Sequence, residues 1–345
     1  MLTTHQQSDL LLSAFYAPAD IQRQLRSALV SGRDLSAYLY LTHDYTKFIQ
    51  ESRQYCMDHF VEILSYLDER YPSRLREIPD FPFILYAKGN LKLLEKDSMM
   101  GMVGTRKATL YYTQFATDLS RELANYNFVV VSGLAEGIDA AAHRGAMESG
   151  LTIAVLGHGI DRVYPASHRK LYKEIEAHGL LVTEFPPLHP ADRWTFPLRN
   201  RIIAGLSVGV VVVESATSGG SLITADQALS YNREVFAVPG RPTDEFSAGP
   251  NLLIQKGAKL VRSIQDILDE LTWLTPPSKL LPSEPHYVLS VQELEVLKHI
   301  GPEPIHIDTL QSKLSIPASQ LMSSLSFLLL QNLIRELSGK YFVKK

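Results

Sequence analysis

Cysteine is almost absent from this sequence, since Cys56 is the only one among 345 residues. It cannot form an internal disulfide, and a chain without disulfides is typical of a reducing compartment. No apolar run approaches the ~18 residues that a membrane-spanning helix needs. The apolar stretch LLLSAFYA near the start follows Asp9 and lacks the preceding basic residues of a signal peptide. We therefore expect a cytoplasmic protein without a membrane partner.

The chain also lacks a basic excess, because its formal net charge at pH 7 is −3. That balance disfavours a uniformly basic nucleic-acid-packaging protein, although a local basic groove could still bind a nucleic acid. Metal signatures are missing from the sequence as well: it has no H-E-x-x-H and no Cys/His cluster at metal spacing. No complete G-x-G-x-x-G turn follows a predicted strand. We therefore expect neither a metal nor another cofactor.

From about residue 82 the sequence alternates short apolar runs with amphipathic stretches. The predicted strands are FILYA, MMGMVG, NFVVVSG, TIAVLG, LLVTEF, GVVVVES and EVFAVPG. Near-continuous Val, Ile and Leu runs predict strands buried on both faces, and the intervening helices predict parallel pairing. The fold class is therefore predicted as α/β, with a Rossmann-like, doubly wound, mostly parallel sheet. Ligands on such sheets bind beyond the carboxyl ends of the strands.

The segments on either side predict smaller units. Apolar residues recur at helical spacing over residues 1–70, including FVEILSYLDERY at 60–71, and predict an N-terminal helical module. The Rossmann-like domain is predicted at 71–274 and a proline-rich linker at 275–285. Three helices and a hairpin predict a winged-helix domain at 286–345.

The first candidate site loop is MVGTRKA, in which a predicted strand ends at Gly104. Glycine lets the backbone approach a ligand closely, and the N–H groups at the start of the next helix attract anions. Thr105 adds a hydroxyl, while Arg106 adds a forked cation that suits phosphate oxygens, next to Lys107. The pattern is typical of a phosphate-binding turn, although a plain strand–helix turn with a solvated basic pair has the same residues.

The second candidate loop, HPADRWTFPLRNRIIAG, interleaves cations with aromatic rings. Its arginines and aromatics are Arg193, Trp194, Phe196, Arg199 and Arg201. Such interleaving suits a single strand of nucleic acid, because cations bind phosphates and rings stack on bases. Asn200 could cap a helix or bind a ligand. The alternative is that the rings anchor a long loop in the core and that the arginines form structural ion pairs.

The third candidate loop, VVVVESATSGGSLITADQAL, leads from a strand into a helix. Gly219 and Gly220 allow close approach of a ligand, and Ser221 offers a hydroxyl beside backbone N–H groups. Several such loops at one edge of the sheet suit a ligand with several phosphates in line. This favours a polynucleotide strand over a mononucleotide.

The segment SGLAEGIDAAAHRGA, residues 132–146, leaves two interpretations open. Asp139 and His143 lie four residues apart on one helix face, near Glu136, so a hydrolytic acid–base pair is conceivable. The alternative is an acidic residue that favours the start of a helix and a locally hydrogen-bonded histidine. The sequence has no G-x-S-x-G nucleophile motif.

Several long segments closely resemble the DNA-processing protein A family (DprA, also called Smf). They include MVGTRKATLYYTQFA, VVVSGLAEGIDAAAHRGA, FPLRNRIIAGLS, VVVVESATSGGSLITADQAL and GPNLLIQKGA. The resemblance runs from about Tyr71 to Glu270, and residues 286–345 resemble the winged helix of many members. It implies a homodimer that binds single-stranded DNA through the Rossmann-like domain. It also implies protection of incoming DNA, loading of the RecA recombinase during natural transformation, and no catalysed reaction.

The resemblance also implies particular contacts. The family's Gly-Ser/Thr-Arg loop matches Gly104, Thr105 and Arg106, its basic residue before the F-P-x-R-N motif matches Arg193, and its base-stacking phenylalanine matches Phe196. The resemblance and the loop patterns together predict these DNA-binding residues: Gly104, Thr105, Arg106, Lys107, Arg193, Phe196, Arg199, Asn200, Gly219, Gly220 and Ser221.

Two alternative functions remain open at this point, a nucleotide phosphoribohydrolase-like enzyme and a protein adaptor whose winged helix carries the function. A nucleotide phosphoribohydrolase-like enzyme also carries a glycine pair after a strand, but Ser218 and Leu222 break its P-G-G-x-G-T pattern, while Asp226 could imitate its acid near Glu214. The winged helix has no basic residue in its presumed recognition helix before Arg335, which favours a protein contact or a regulatory role over duplex binding.

Overall fold

The computed structural model describes residues 2–274, 289–301, 303–314, 316–331, 333–337 and 339–344. The chain divides into two compact units, Met1–Leu280 and Leu281–Lys345. The predicted linker at 275–285 lies outside the described residues. Within the described residues, no helix combines the length and the apolar character that crossing a membrane requires.

The first unit begins with four helices. They are α1 (Thr4–Ala14), α2 (Ala19–Val30), α3 (Tyr40–Asp44) and α4 (Thr46–Asp58). Thr3 and Gln6 form a capping box that starts α1. Cys56 in α4 is buried and free. The division of this unit at residue 70 into a helical module and a Rossmann-like domain stays a prediction.

A strand, β1 (Glu62–Ser65), follows the helices, so the prediction of a helix over FVEILSYLDERY is wrong. This strand pairs antiparallel with β2 (Ile84–Gly89), and the register places Leu64 opposite Leu85. Both leucines are fully buried. The pairing and burial that the strand gains in the sheet outweigh a local pattern that is also compatible with a helix.

The main sheet of the described chain has nine strands in the order β1-β2-β6-β5-β4-β3-β7-β8-β9. The remaining strands are β3 (Met99–Val103), β4 (Val129–Ser132), β5 (Thr152–Val155), β6 (Leu180–Thr183), β7 (Gly209–Val212), β8 (Glu234–Ala237) and β9 (Lys259–Leu260). Strands β3 to β9 pair in parallel, whereas β2 pairs antiparallel with β1 and β6. The predicted mostly parallel sheet is confirmed.

Helices cover both faces of this sheet. They are α5 (Ser73–Arg76), α6 (Leu110–Asn125), α7 (Ile138–Met147), α8 (Arg169–His178), α9 (Thr195–Leu206), α10 (Gly220–Ser230), α11 (Ala248–Gln255) and α12 (Ile264–Glu270). Successive strand residues point to opposite faces, so Val129 and Val131 pack in one apolar cluster and Val130 packs in the other. This two-sided burial explains the continuous valine runs, and the doubly wound prediction is confirmed.

The order of the strands reverses at β3. From β3 the chain proceeds to β4, β5 and β6 on one side, while β7, β8 and β9 lie on the other side. Strand β3 pairs directly with β7, and Val103 lies opposite Val212 near the carboxyl ends of both. In open α/β sheets the crevice at such a switch point is where ligands bind. The loops that follow β3 and β7 are the first and third candidate loops.

The described residues of the second unit form three helices and three strands. They are α13 (Val291–Lys298), β10 (Ile305–His306), α14 (Ile307–Leu314), α15 (Ala318–Leu330), β11 (Ile334–Leu337) and β12 (Tyr341–Lys344). The strands form an antiparallel sheet in the order β10-β12-β11. Leu321 and Leu325 of α15 pack in the same core as Phe342 of β12. The predicted winged helix is confirmed.

Candidate nucleic-acid interface

An open cleft of about 810 Å³ lies at the carboxyl ends of β3 and β7, beside the switch point. Its walls come from the loops after β3, β4, β5, β7 and β8 and from the start of α9. Every residue predicted to bind DNA lines it: Gly104, Thr105, Arg106, Lys107, Arg193, Phe196, Arg199, Asn200, Gly219, Gly220 and Ser221. The structure brings these residues together, while their contact with DNA stays a prediction.

Glu214 joins the loops that follow β3 and β7. Its backbone oxygen accepts a hydrogen bond from the Thr105 N–H at 2.6 Å. Its carboxylate accepts one from the Thr109 N–H at 2.9 Å and one from the Thr109 hydroxyl at 3.1 Å. Thr109 is the N-cap of α6, and burial raises the pKa of the Glu214 carboxyl. Glu214 therefore anchors the cleft wall, and this engagement disfavours the phosphoribohydrolase interpretation.

Two glycines let the loops after β3 and β4 approach each other. A Cβ on Gly104 would lie 2.5 Å from Cγ1 of Ile138, which begins α7. Gly137 has a φ of +76° and faces Thr105 so closely that a Cβ would lie 2.2 Å from the Thr105 backbone oxygen. Neither site has room for a side chain. Gly220 differs, because a Cβ there would meet no atom within 4 Å and would project into open space.

Three exposed cations line the cleft: Arg106, Lys107 and Arg193. In the described part of the chain none of them forms an ion pair with a carboxylate. The exposed carboxylate in the lining is that of Glu245. The cleft therefore presents a local excess of positive charge on a chain whose net charge is negative.

Phe196 is half-buried and contacts one of these cations. Cζ of Arg106 lies 5.1 Å from the centroid of the Phe196 ring, within cation–π range. The ring also packs on Gly157, where a Cβ would lie 2.8 Å from its Cδ1 atom. The Tyr164 ring is 5.5 Å away at 35°. A base that stacks on Phe196 therefore has to share the ring with Arg106 or displace the guanidinium.

Arg199 lies beneath the cleft. Its side chain is only 3% exposed, and its guanidinium donates hydrogen bonds to the backbone oxygens of Gly133, at 2.7 Å, and Val155. A Cβ on Gly133 would lie 2.2 Å from Nη1 of Arg199. Burial lowers the pKa of Arg199 to about 10, although Asp139 partly offsets that effect. This guanidinium holds the ends of β4 and β5, and the predicted phosphate contact from it is untested.

Arg201 is also buried and pairs with the buried Glu184. Of the three arginines in the second loop, Arg193 is the exposed one. The alternative reading, in which these arginines form structural contacts, therefore fits Arg199 and Arg201.

Asp139 and His143 support the loops rather than forming an acid–base pair. The Asp139 carboxylate accepts hydrogen bonds from the Gly133 N–H at 3.1 Å and the Ala135 N–H at 3.4 Å, and burial raises its pKa. His143 is fully buried with Nδ1 2.7 Å from the Thr152 hydroxyl. Burial lowers the pKa of His143 to about 3, so its imidazole is neutral at pH 7. The contacts favour the locally bonded interpretation.

Tyr164 is a lining residue that the sequence analysis did not select. Its side chain is 44% exposed, and it lies in the loop after β5. Together with Phe196, Glu136 and His158 it also borders an adjoining pocket of about 90 Å³. The sequence did contain a signal for this residue, because its segment LGHGIDRVYPASH follows a predicted strand as the other candidate loops do.

Comparisons with known proteins agree on one family. The family model described as DNA recombination-mediator protein A matches residues 62–272, and the one described as DprA winged helix domain matches residues 281–340. The DNA processing protein DprA of Bacillus subtilis is 45% identical over 204 residues, which span 59% of this chain and 69% of that protein. Protein Smf of Escherichia coli is 36% identical over 280 residues, which span 79% and 75%.

Solved structures show the same relation. The crystal structure of DprA from Streptococcus pneumoniae superimposes with a TM-score of 0.69 at 34% identity, and the match covers 78% of this chain and 99% of that one. A structure of DprA from Helicobacter pylori, described as showing a single-stranded DNA binding mode, gives a TM-score of 0.57 at 30% identity over 62% and 96% of the two chains.

Proposed function

The chain belongs to the DNA recombination-mediator protein A family, and from this premise we propose that its cleft binds single-stranded DNA during natural transformation. The observation that carries the proposal is the convergence, in one open cleft, of a half-buried phenylalanine with three exposed cations that form no ion pair with any described carboxylate. A groove that combines cations with an aromatic ring is the arrangement that binds unpaired strands without sequence preference.

The geometry argues against a dinucleotide in the same crevice. Such a site needs an acidic residue at the end of the second strand to bind the ribose hydroxyls. Strand β4 ends at Ser132, whose hydroxyl donates a hydrogen bond to the Met102 backbone oxygen at 2.6 Å. The nearby Asp139 is committed to backbone N–H groups. A polynucleotide therefore fits the lining better than a nicotinamide or flavin cofactor.

The proposed contacts divide into phosphate binding and base stacking. Arg106, Lys107 and Arg193 bind phosphates, and Phe196 stacks on a base. Backbone N–H groups of Gly220 and Ser221 at the start of α10 add donors for a further phosphate, whereas the Ser221 hydroxyl donates to the Ser215 hydroxyl at 2.7 Å. Thr105 and Asn200 supply further polar groups in the lining.

The cellular role that we propose follows the family. The protein protects incoming DNA in the cytoplasm and helps to load the RecA recombinase, as a homodimer assembled through the Rossmann-like domain. It performs these tasks by binding, without catalysing a reaction. Incubation with AMP, monitored for release of adenine, tests the last point, because a phosphoribohydrolase would liberate the base.

The experiment that tests the DNA-binding proposal is a competition titration of single-stranded against double-stranded oligonucleotide at several salt concentrations. We expect the single strand to win and its affinity to fall with salt, with a logarithmic slope of about −0.7 per phosphate contact. The Arg106→Ala variant should bind more weakly, with a shallower slope. Arg121→Ala is the matched control, because Arg121, near the end of α6, pairs with the exposed acids Asp118 of α6 and Glu148 at the end of α7. A salt-independent affinity would contradict the proposal.

A further inference from the structure

Trp194 offers an aromatic surface that the proposed DNA contacts leave unused. It follows Arg193, one of the exposed cations of the cleft, and is the N-cap residue of α9. Its side chain is 55% exposed, so it does not act as the core anchor that the sequence left open. What distinguishes this ring is its place directly after an exposed cation of the cleft, in the alternation of cations and rings that suits an unpaired strand.

The position of the Trp194 ring is fixed by its neighbours. The buried Phe185 ring contacts it in an edge arrangement at 6.0 Å, and the His189 ring lies 5.7 Å away. His189 is itself held by Phe185 at 5.0 Å and by Phe15 at 5.8 Å. The following residue, Thr195, donates a hydrogen bond from its hydroxyl to the Asp192 backbone oxygen at 2.8 Å. A ring held in this way loses little conformational freedom when a partner stacks on it.

The indole nevertheless makes no cation–π contact and no hydrogen bond with the described residues. Among the residues that the structure describes, no guanidinium or ammonium lies over the Trp194 ring, and its N–H donates no hydrogen bond. The other tryptophan, Trp273, is equally exposed but has Arg74 at 5.7 Å from its ring. Phe196 likewise has Arg106 against it. Trp194 therefore has an exposed, unengaged ring surface.

We propose that Trp194 is a second stacking platform for an unpaired nucleobase, on the opposite side of the start of α9 from Phe196. Residues two apart in a helix point about 200° away from each other. In agreement, Phe196 packs on Gly157, whereas Trp194 packs on Phe185 and His189. Arg193 lines the cleft and directly precedes Trp194 in the chain, so a strand that leaves the cleft past this cation presents its next base to Trp194. This inference rests on the proposed binding of single-stranded DNA.

The two tryptophans make a direct spectroscopic test possible. In the Trp273→Phe variant, Trp194 is the only tryptophan and reports its own contacts. Oligothymidine has no fluorescence that interferes, and stacking quenches indole emission. We expect the emission to fall in proportion to the bound fraction, measured independently by the anisotropy of a labelled oligothymidine. In the matched Trp194→Phe variant, Trp273 should keep its emission, because it lies near α5, which packs against the other end of α9.

Affinity supplies a second measurement. Trp194→Ala should weaken the binding of long oligothymidine about tenfold, which is ~1.4 kcal/mol, within the range for one stacked base. Trp194→Phe should bind within about threefold of the wild type, because a phenyl ring still stacks. The shortest oligothymidine that binds should show the loss with Phe196→Ala but not with Trp194→Ala. Circular dichroism and thermal unfolding check that each variant is folded.

The possible outcomes separate this inference from the proposal on which it rests. If labelled oligothymidine binds while the emission of Trp194 stays unchanged and Trp194→Ala retains full affinity, the second platform is refuted and the cleft proposal stands. Trp194 would then be a candidate for protein docking. If no variant and no wild-type protein binds single strands at low salt, both proposals fail.

Discussion

Replacing Arg199 by alanine should destabilise the floor of the cleft rather than remove a phosphate ligand. The guanidinium is 3% exposed and serves the backbone oxygens of Gly133 and Val155, which would lose a buried donor. Each unsatisfied carbonyl costs ~1–3 kcal/mol, and Asp139 loses its nearest compensating charge. We expect a loss of roughly 3 kcal/mol, which lowers Tm by roughly 5 °C in a chain of 345 residues.

Arg106→Ala should show the opposite pattern, with weaker DNA binding and little change in thermal stability. Arg106 is exposed and, within the described residues, has no ion-pair partner, so Tm should change little. The loss should appear in DNA binding, where the salt slope becomes shallower by about 0.7. Differential scanning calorimetry measures the Tm of both variants. Salt titrations of oligothymidine binding, performed well below that Tm, measure the affinity and the salt slope. If Arg199→Ala keeps its Tm and instead loses salt dependence, Arg199 is a direct phosphate ligand and the structural argument is wrong.

Four further predictions follow from the cleft and its supports. Phe196→Ala should weaken single-strand binding by ~1–3 kcal/mol without a change in the salt slope, because it removes stacking and no charge; an altered slope would contradict this. Gly220→Leu should fold normally but bind DNA poorly, since its side chain enters open cleft space, whereas Gly104→Ala should lose thermal stability by collision with Ile138. The neutral buried His143 has a pKa depressed from 6.5 to about 3, so its stability contribution is complete above pH 6.5 and declines on acidification; urea unfolding should show a loss of ~2 kcal/mol between pH 6.5 and 5 that His143→Asn escapes. Removal of the winged helix should leave most single-strand affinity intact, because α15 carries no Lys or Arg; loss of most affinity in a filter-binding assay would assign the winged helix to the DNA.

The sequence was sufficient to predict the central strands because parallel strands covered on both faces need continuous apolar runs. Strand β1 was not predicted because its four residues, Glu62–Ser65, are held in the sheet by pairing with β2. Strand β2 lies farther along the chain than the local spacing of apolar residues can indicate. The two-residue strand β9 is too short to leave a pattern. The glycines that follow the predicted strands indicated where the cleft lies, because only glycine fits where the loops after β3 and β4 approach each other.

The role of each arginine could not be predicted in the same way. Arg193 precedes α9, and Arg199 lies within its first turns. The exposure of each side chain depends on what the fold places around it. Helix α9 is surrounded by the sheet and by α10, so a guanidinium on its inner side meets the backbone oxygens of β4 and β5. Trp194 shows the reverse case, since an apolar ring is exposed where the start of the helix leaves the core. Neither outcome is encoded in the spacing of the residues.

The contact between Arg106 and Phe196 makes the proposed binding of DNA an exchange of partners instead of the filling of a vacant site. In the free protein the Arg106 guanidinium already forms a cation–π contact with the Phe196 ring, and the ring shields part of the cation from water. A strand that draws Arg106 toward a phosphate exposes the ring for a base at the same moment, so the two events are thermodynamically coupled. Substitutions at these two positions will therefore be non-additive, and neither single change measures the worth of its own contact.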